Sequence, residues 1–235
     1  MSNDIIQFSH LGRYGDFGNQ LFQYTFMRAY AEKYDYELQI PPWIGEKIFK
    51  DVVHSSCSKR LPIVKEKDLH GQTNVDVLGF FQDTKSHSIL STSKIKKWLQ
   101  FQDKWLNFAS VKVAAHLRRG DFLDHKERYC LITRQSYLSA CKKYNLDNPT
   151  WVHQKNKDHK NDKDFDNLIN DFLIMVNAKV LLRSNSSFSF WAGFFNKNKV
   201  YSPVVEDLIG WHHVEFRADN YAKRNARCGE HIFGD

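Results

Sequence analysis

The stretch VAAHLRRGDF, residues 113–122, decides how this chain is read. An apolar run beginning at Val111 has the look of a buried strand, and it ends in His116, Arg118, Arg119, Gly120 and Asp121. Charge at such a place must be solvated, paired, or waiting for a ligand. In open α/β sheets, ligands collect beyond the carboxyl ends of the strands, which is where this cluster falls. Arg118 and Arg119 offer forked, permanently charged donors that suit a pyrophosphate better than lysine does. A salt bridge to Asp121 would neutralise one arginine. Two adjacent arginines beside one aspartate leave charge over, so the pattern favours anion binding.

The flanking sequence sets this strand in an α/β context. DIIQFSH (4–10) reads as a first strand and is followed by three glycines, Gly12, Gly15 and Gly18, in seven residues. From Asn19 the pattern turns helical, with Leu21, Phe22, Thr25, Phe26, Ala29 and Tyr30 on one face. YELQI is a short strand stopped by Pro41-Pro42, and the segment from 41 to 69 is irregular. VDVLGFF is strand-like, and KIKKWLQF ends an amphipathic helix. A second α/β unit starts at Val111, with a helix near 134–144, a strand TWVH, a helix FDNLINDFLIMVNA, and strands KVLL and KVYS. The expected organisation is an N-terminal domain over 1–98, a junction at 99–110, a second domain over 111–210, and a C-terminal segment, 211–235, packing back on the first domain.

The bulk numbers agree with a packed protein. Of 235 residues, 42% are hydrophobic and 14% aromatic, enough for a sizeable core. No apolar run approaches the roughly 18 residues of a membrane helix. MSNDIIQFSH has no basic start followed by an apolar stretch, and Cys57, Cys130, Cys141 and Cys228 form no C-x-x-C pair. A cytoplasmic protein without zinc or a disulfide framework is expected. The net charge of +7 fits nucleic acid, an anionic membrane or a phosphorylated small molecule alike.

Two further motifs invite an anion. In GDFGNQLFQY, the glycine loop opens a helix whose N-terminus would favour phosphate, unless Gly18 is only a turn and Asn19 only a cap. The glycines do not match G-x-G-x-x-G. In SNSSFSFW (184–191), Asn185, Ser186, Ser187 and Ser189 place small donors at a strand-to-helix turn, with serine capping as the plainer reading. Phe188, Phe190 and Trp191 would pack that helix into the core. DKDFD holds a D-x-D pattern at Asp162, Asp164 and Asp166, but it closes the polar run QKNKDHKNDKD and reads as a solvated loop and helix start rather than a metal site.

In combination these motifs resemble the α-1,2-fucosyltransferase family. FGNQLFQYTFMRAYAEKY resembles its N-terminal motif, GFFQD (79–83) its middle motif, and SNSSFSFWAGFF followed by KVYSP its C-terminal motif. HLRRGDF resembles the arginine motif shared with α-1,6- and protein O-fucosyltransferases. The four occur in order over residues 12–203.

The resemblance implies an α/β, GT-B-like architecture of two small facing Rossmann-like domains with the donor site in the cleft. It implies metal-independent, inverting transfer of L-fucose from GDP-β-L-fucose to a glycan acceptor, with no cofactor. Arg118 matches the arginine that contacts the diphosphate and supports its departure, with Asp121 a candidate base or arginine partner. His116, Arg119, Asn185, Ser186, Ser187, Phe188 and Ser189 match donor-site positions in the second domain, and Gly18 and Asn19 match the first-domain side. Acceptor loops are expected in 41–68 and 219–235. Three alternatives stay open: the same scaffold with another deoxysugar donor such as L-rhamnose, a basic nucleic-acid-binding module, and an inactive carbohydrate-binding relative.

Overall fold

The strands are short, and each is placed by the burial of its side chains. The computed structural model describes residues 4–218 apart from 53, 58–59, 83–85, 87, 154–161 and 206–207, with the side chains of 121 and 162–164 also outside the description. The chain divides into two units between Leu106 and Asn107.

In the first unit the order is β1 (Ile5–Gln7), α1 (Phe17–Tyr34), β2 (Glu37–Gln39), β3 (Ile63–Lys65), β4 (Val75–Leu78) and α2 (Thr92–Trp98). The four strands form one parallel sheet in the order β2-β1-β4-β3. The chain leaves β1 to one side and returns on the other, so a topological switch point lies between β1 and β4. Helix α1 starts at Phe17, not Asn19, and Gly18 and Asn19 lie within its first turn, neither turn nor cap. It buries far more than one face, with Phe17, Leu21, Phe22, Tyr24, Thr25, Met27, Ala29 and Ala31 all enclosed, as a helix apolar around most of its circumference must be. Strand β3 sits inside the stretch read as irregular, where its exposed Ile63 hides any alternation.

The second unit runs β5 (Val113–His116), α3 (Asp121–Asp124), β6 (Cys130–Ile132), α4 (Arg134–Lys143), β7 (Thr150–Val152), α5 (Asp162–Asn177), β8 (Val180–Leu182), α6 (Ser187–Phe195), β9 (Lys199–Pro203), β10 (Gly210–His212) and β11 (Phe216–Ala218). Five strands make a sheet in the order β11-β9-β8-β5-β7, parallel except for β11. All of β5 is buried, as expected of a central parallel strand covered on both faces. The connections again diverge on either side of β5, which puts the switch point between β5 and β8. Helix α6 drives Phe190, Trp191, Ala192 and Phe194 inward, and Asn196 at its end donates to Met175 O at 2.8 Å and Ala178 O at 3.0 Å, tying it to the end of α5. Strands β6 and β10 pair only with each other, in parallel. Within the C-terminal segment, Trp211 and His212 join the second unit through β10–β6 pairing and Phe216–Ala218 through β11–β9 pairing; residues 219–235 lie outside the description.

Two glycines separate backbone strain from crowding. Gly15 (φ +83°) would bring a Cβ within 2.7 Å of Asn19 Nδ2 and 2.9 Å of the Phe80 ring, whereas Gly210 (φ +82°) would meet nothing within 4 Å. Gly15→Ala is expected to lower stability by at least about 2 kcal/mol and Gly210→Ala by about 1 kcal/mol. Equal losses in chemical denaturation would contradict the crowding at Gly15.

Candidate functional site

At the switch point of the second unit the ends of two strands are bonded together. His116 closes β5 and Ser184 follows β8, and His116 Nδ1 lies 2.8 Å from Ser184 Oγ, both residues buried. The Ser184 hydroxyl is also 3.1 Å from Ser189 Oγ, and Ser189 Oγ donates to Ser184 O at 3.2 Å. The Tyr137 hydroxyl, kept protonated chiefly by burial, donates to His116 O at 2.7 Å. Burial first, then the Arg118, Arg119 and His153 charges, push His116 down to about 3, so its ring is neutral and bonds as a dipole. Phe188 packs edge-on to the imidazole, with ring centres 5.7 Å apart.

The two arginines of the motif are used differently. Arg118 lies with its guanidinium 5.1 Å from the Phe122 ring centre, and Phe122 stacks on Tyr129 at 4.1 Å. Arg119 turns back into the protein, donating to Arg118 O at 2.7 Å and Ile132 O at 2.9 Å; burial lowers its pKa. Asn185 points the same way, donating to Cys130 O at 3.0 Å. Arg119 and Asn185 thus grip the last and first residues of β6. Ser186 caps α6, its Oγ accepting from Phe188 N at 3.2 Å, so the capping reading holds for this serine. Ser187 and Phe188 open the helix, each half-buried.

Sequence reasoning passed over three members of this assembly. Arg183 is fully buried, donating from Nε to Ser202 Oγ at 2.5 Å and from Nη1 to Ser184 O at 3.2 Å. Ser184 and Tyr137 hold the histidine. The signal for Arg183 was available: it stands directly after an apolar strand, as His116 closes one, where a polar group is either structural or functional.

In the first unit the motifs around Asn19 and GFFQD meet. Gln23 Nε2 donates to Tyr14 O at 2.9 Å and Gly79 O at 3.2 Å, and Gln20 Nε2 to Gly15 O at 3.0 Å. Gln82 Nε2 donates to Asn19 Oδ1 at 2.7 Å, and Tyr14 stacks on Phe80 at 4.5 Å. These bonds fix the glycine loop across the carboxyl ends of β1 and β4. Gly18 is buried beneath it.

Asp121 begins α3, and its side chain is outside the description. Asp162 and Asp164 fall in the first turn of α5 with undescribed side chains, and Asp166 is exposed. Among the described residues no group of His, Cys, Asp or Glu could hold a metal ion. Nor is any described helix long and apolar enough to cross a membrane.

The buried neutral imidazole makes stability depend on pH. Below pH 6.5 the unfolded chain takes up a proton that the folded His116 refuses until near pH 3, so stability falls as the solution is acidified through that window. The His116 share of the loss between pH 6.5 and 5 is about 2 kcal/mol. Urea unfolding of wild type and His116→Asn at pH 7, 6 and 5 checks this. The variant is expected to show the shallower acid slope, and equal slopes would refute the buried neutral state.

No family model matches the chain, and no curated protein matches it in sequence. Solved structures do. A NodZ α-1,6-fucosyltransferase soaked with GDP-fucose matches with a TM-score of 0.56 at 11% identity, over 93% of this chain and 100% of that one. The same enzyme co-crystallised with GDP gives 0.56 at 10% identity, and a selenomethionine form from Bradyrhizobium gives 0.56 at 10%. Each of these two matches covers 94% of this chain and 100% of the other. At this identity the likeness is one of fold. The chain has the α/β, GT-B-like fold with parallel sheets.

Proposed function

We propose that this protein is a glycosyltransferase that moves L-fucose from GDP-β-L-fucose to a hydroxyl of a glycan acceptor, without a metal and with inversion at the anomeric carbon. The observation that carries the reading is the His116–Ser184 bond, which brings the arginine motif and the serine loop side by side at the switch point of a parallel sheet. That is the place where open α/β sheets bind nucleotides. The fold likeness to an enzyme solved with GDP-fucose and with GDP supports the choice of donor.

In this reading the bond between the anomeric carbon and the phosphate oxygen breaks as the acceptor oxygen attacks the opposite face. Positive charge builds on the sugar ring and negative charge on the departing diphosphate. Arg118 is the leaving-group cation, held near its place by the Phe122 ring, and it acts as a preorganised charge in a site partly shielded from water. Arg119 adds field from a fixed position, while its donors serve the backbone. Ser187 and Phe188 at the start of α6 complete the proposed donor contacts of the second unit. Asp121 is the candidate base for the acceptor proton. Among the described residues, the free thiols of Cys57 and Cys141 suit a cytoplasmic setting.

The test is a donor panel with and without chelator, comparing GDP-fucose with other nucleotide deoxysugars, including an L-rhamnose donor. Turnover of GDP-fucose is expected to survive chelation, and strict metal dependence would overturn the mechanism. Arg118→Ala is expected to lower kcat about 10²–10³-fold with the circular dichroism spectrum unchanged. Near-full turnover in that variant would remove Arg118 from the chemistry. Asp121→Asn separates two roles, since loss of a base lowers kcat alone and loss of an arginine partner raises the donor KM.

A further inference from the structure

The small parallel ribbon of β6 and β10 belongs to neither part of the donor assignment, yet it is fastened to both. Arg119 of the arginine motif holds Ile132 O, and Asn185 of the serine loop holds Cys130 O, so both motifs anchor the inner strand. The outer strand follows in register, with Trp211 opposite Leu131, Gly210 N donating to Tyr129 O at 3.0 Å and Thr133 N to His212 O at 3.0 Å. Leu131 is buried, whereas Trp211 is 53% exposed. The Arg119 guanidinium lies 4.7 Å from the Trp211 ring centre and is itself pinned to two carbonyls. The indole therefore rests against a fixed cation and presents its remaining surface to solvent.

Among the described residues, the surroundings of the indole leave it accessible. Gly210 beside it has open space where a side chain would begin, and Ile209 is 46% exposed. The following residues, His213 and Glu215, are exposed and polar. One flat aromatic in a polar rim is too small for a stable protein interface, which takes about 800 Å² from each partner. It fits a ligand of ring size with one apolar face and a rim of hydroxyls, which describes a pyranose.

We propose that Trp211 is the stacking platform for a pyranose ring of the glycan acceptor. The inference rests on the glycosyltransferase reading above. It favours the acceptor over the donor for a physical reason. A sugar nucleotide brings a diphosphate that the arginine motif can hold by charge, whereas a neutral glycan has no charge to offer. Such a glycan must draw affinity from apolar contact with an aromatic face and from hydrogen bonds at its rim. Because the ribbon is bonded to both donor motifs, a ring seated on Trp211 is held in register with the arginine motif.

The experiment presents an array of defined neutral oligosaccharides to the full chain loaded with GDP, for wild type, Trp211→Ala and Trp211→Phe, with GDP affinity measured separately. Trp211→Ala is expected to weaken the bound glycans more than tenfold and Trp211→Phe less than threefold, with GDP affinity within threefold of wild type. Undiminished glycan binding by Trp211→Ala, or a wild type that binds no glycan while binding GDP, overturns the platform. A matching loss of GDP affinity also overturns it, and hands the indole to the nucleobase. Failure of wild type to bind either GDP or GDP-fucose defeats the donor reading instead, and the platform with it.

Discussion

The second unit depends on one buried hydrogen bond between neutral partners. His116 and Ser184 are 68 positions apart in the chain and meet at 2.8 Å where β5 and β8 end. A charged imidazole there would stand among Arg118, Arg119 and His153 with its hydration stripped away, and the depressed pKa expresses that cost. Neutrality leaves the ring as a dipole that a hydroxyl can satisfy. Tyr137 holds the backbone carbonyl of His116 from 21 positions away, and Ser189, five positions on, holds Ser184. Such a network is cheap to keep only when its members are satisfied, because a buried polar group that loses its partner costs about 1–3 kcal/mol.

The first unit meets the same constraint with amides in place of an imidazole. A parallel sheet with a switch point needs its crossing loop fixed, yet the loop between β1 and α1 is rich in glycine and has little side-chain area to bury. Gln20 and Gln23 reach back from α1 and hold loop carbonyls, and Gln23 also reaches the end of β4. Asn19 and Gln82 close the arrangement from the solvent side. The glutamines in GNQLFQY are therefore staples. A helix that buries nearly all its faces can carry such polar side chains because each directs an N–H at a backbone oxygen.

What the sequence makes legible follows from how each element is stabilised. VAAHL is readable as a strand because all of β5 is buried on both sides, α5 is readable because apolar periodicity marks one face, and α1 is readable because it is a long run too apolar for a loop. Strands β6 and β10 are three residues each, too short for alternation to register, and they are kept in place by Arg119 and Asn185 side chains. No local pattern encodes a tertiary bond of that kind. The boundary of α1 slips by two residues because Phe17 and Gly18 resemble loop, and β3 disappears because Ile63 faces solvent. The serine loop was readable as a cap at Ser186, while the inward turn of Ser189 toward Ser184 depends on β5 lying alongside.

Adjacency in sequence conceals the separation of Arg118 and Arg119. Beyond the end of β5 the chain leaves the sheet, and successive side chains point in different directions. Arg119 turns back on the protein, where two carbonyls and one face of the exposed Trp211 ring take up its guanidinium. Arg118 is turned toward Phe122. An arginine that satisfies backbone oxygens makes the geometry stiff, and an arginine set against a ring has less rotamer freedom to lose. Two arginines in sequence at this strand end therefore meet different surroundings, backbone carbonyls for one and an aromatic face for the other. The same logic explains the pair of polar residues after β8: Arg183 is spent on Ser202 and the Ser184 carbonyl, and Ser184 carries the bond to His116. In each case an arginine bonded to a backbone carbonyl fixes the chain just beyond the strand end.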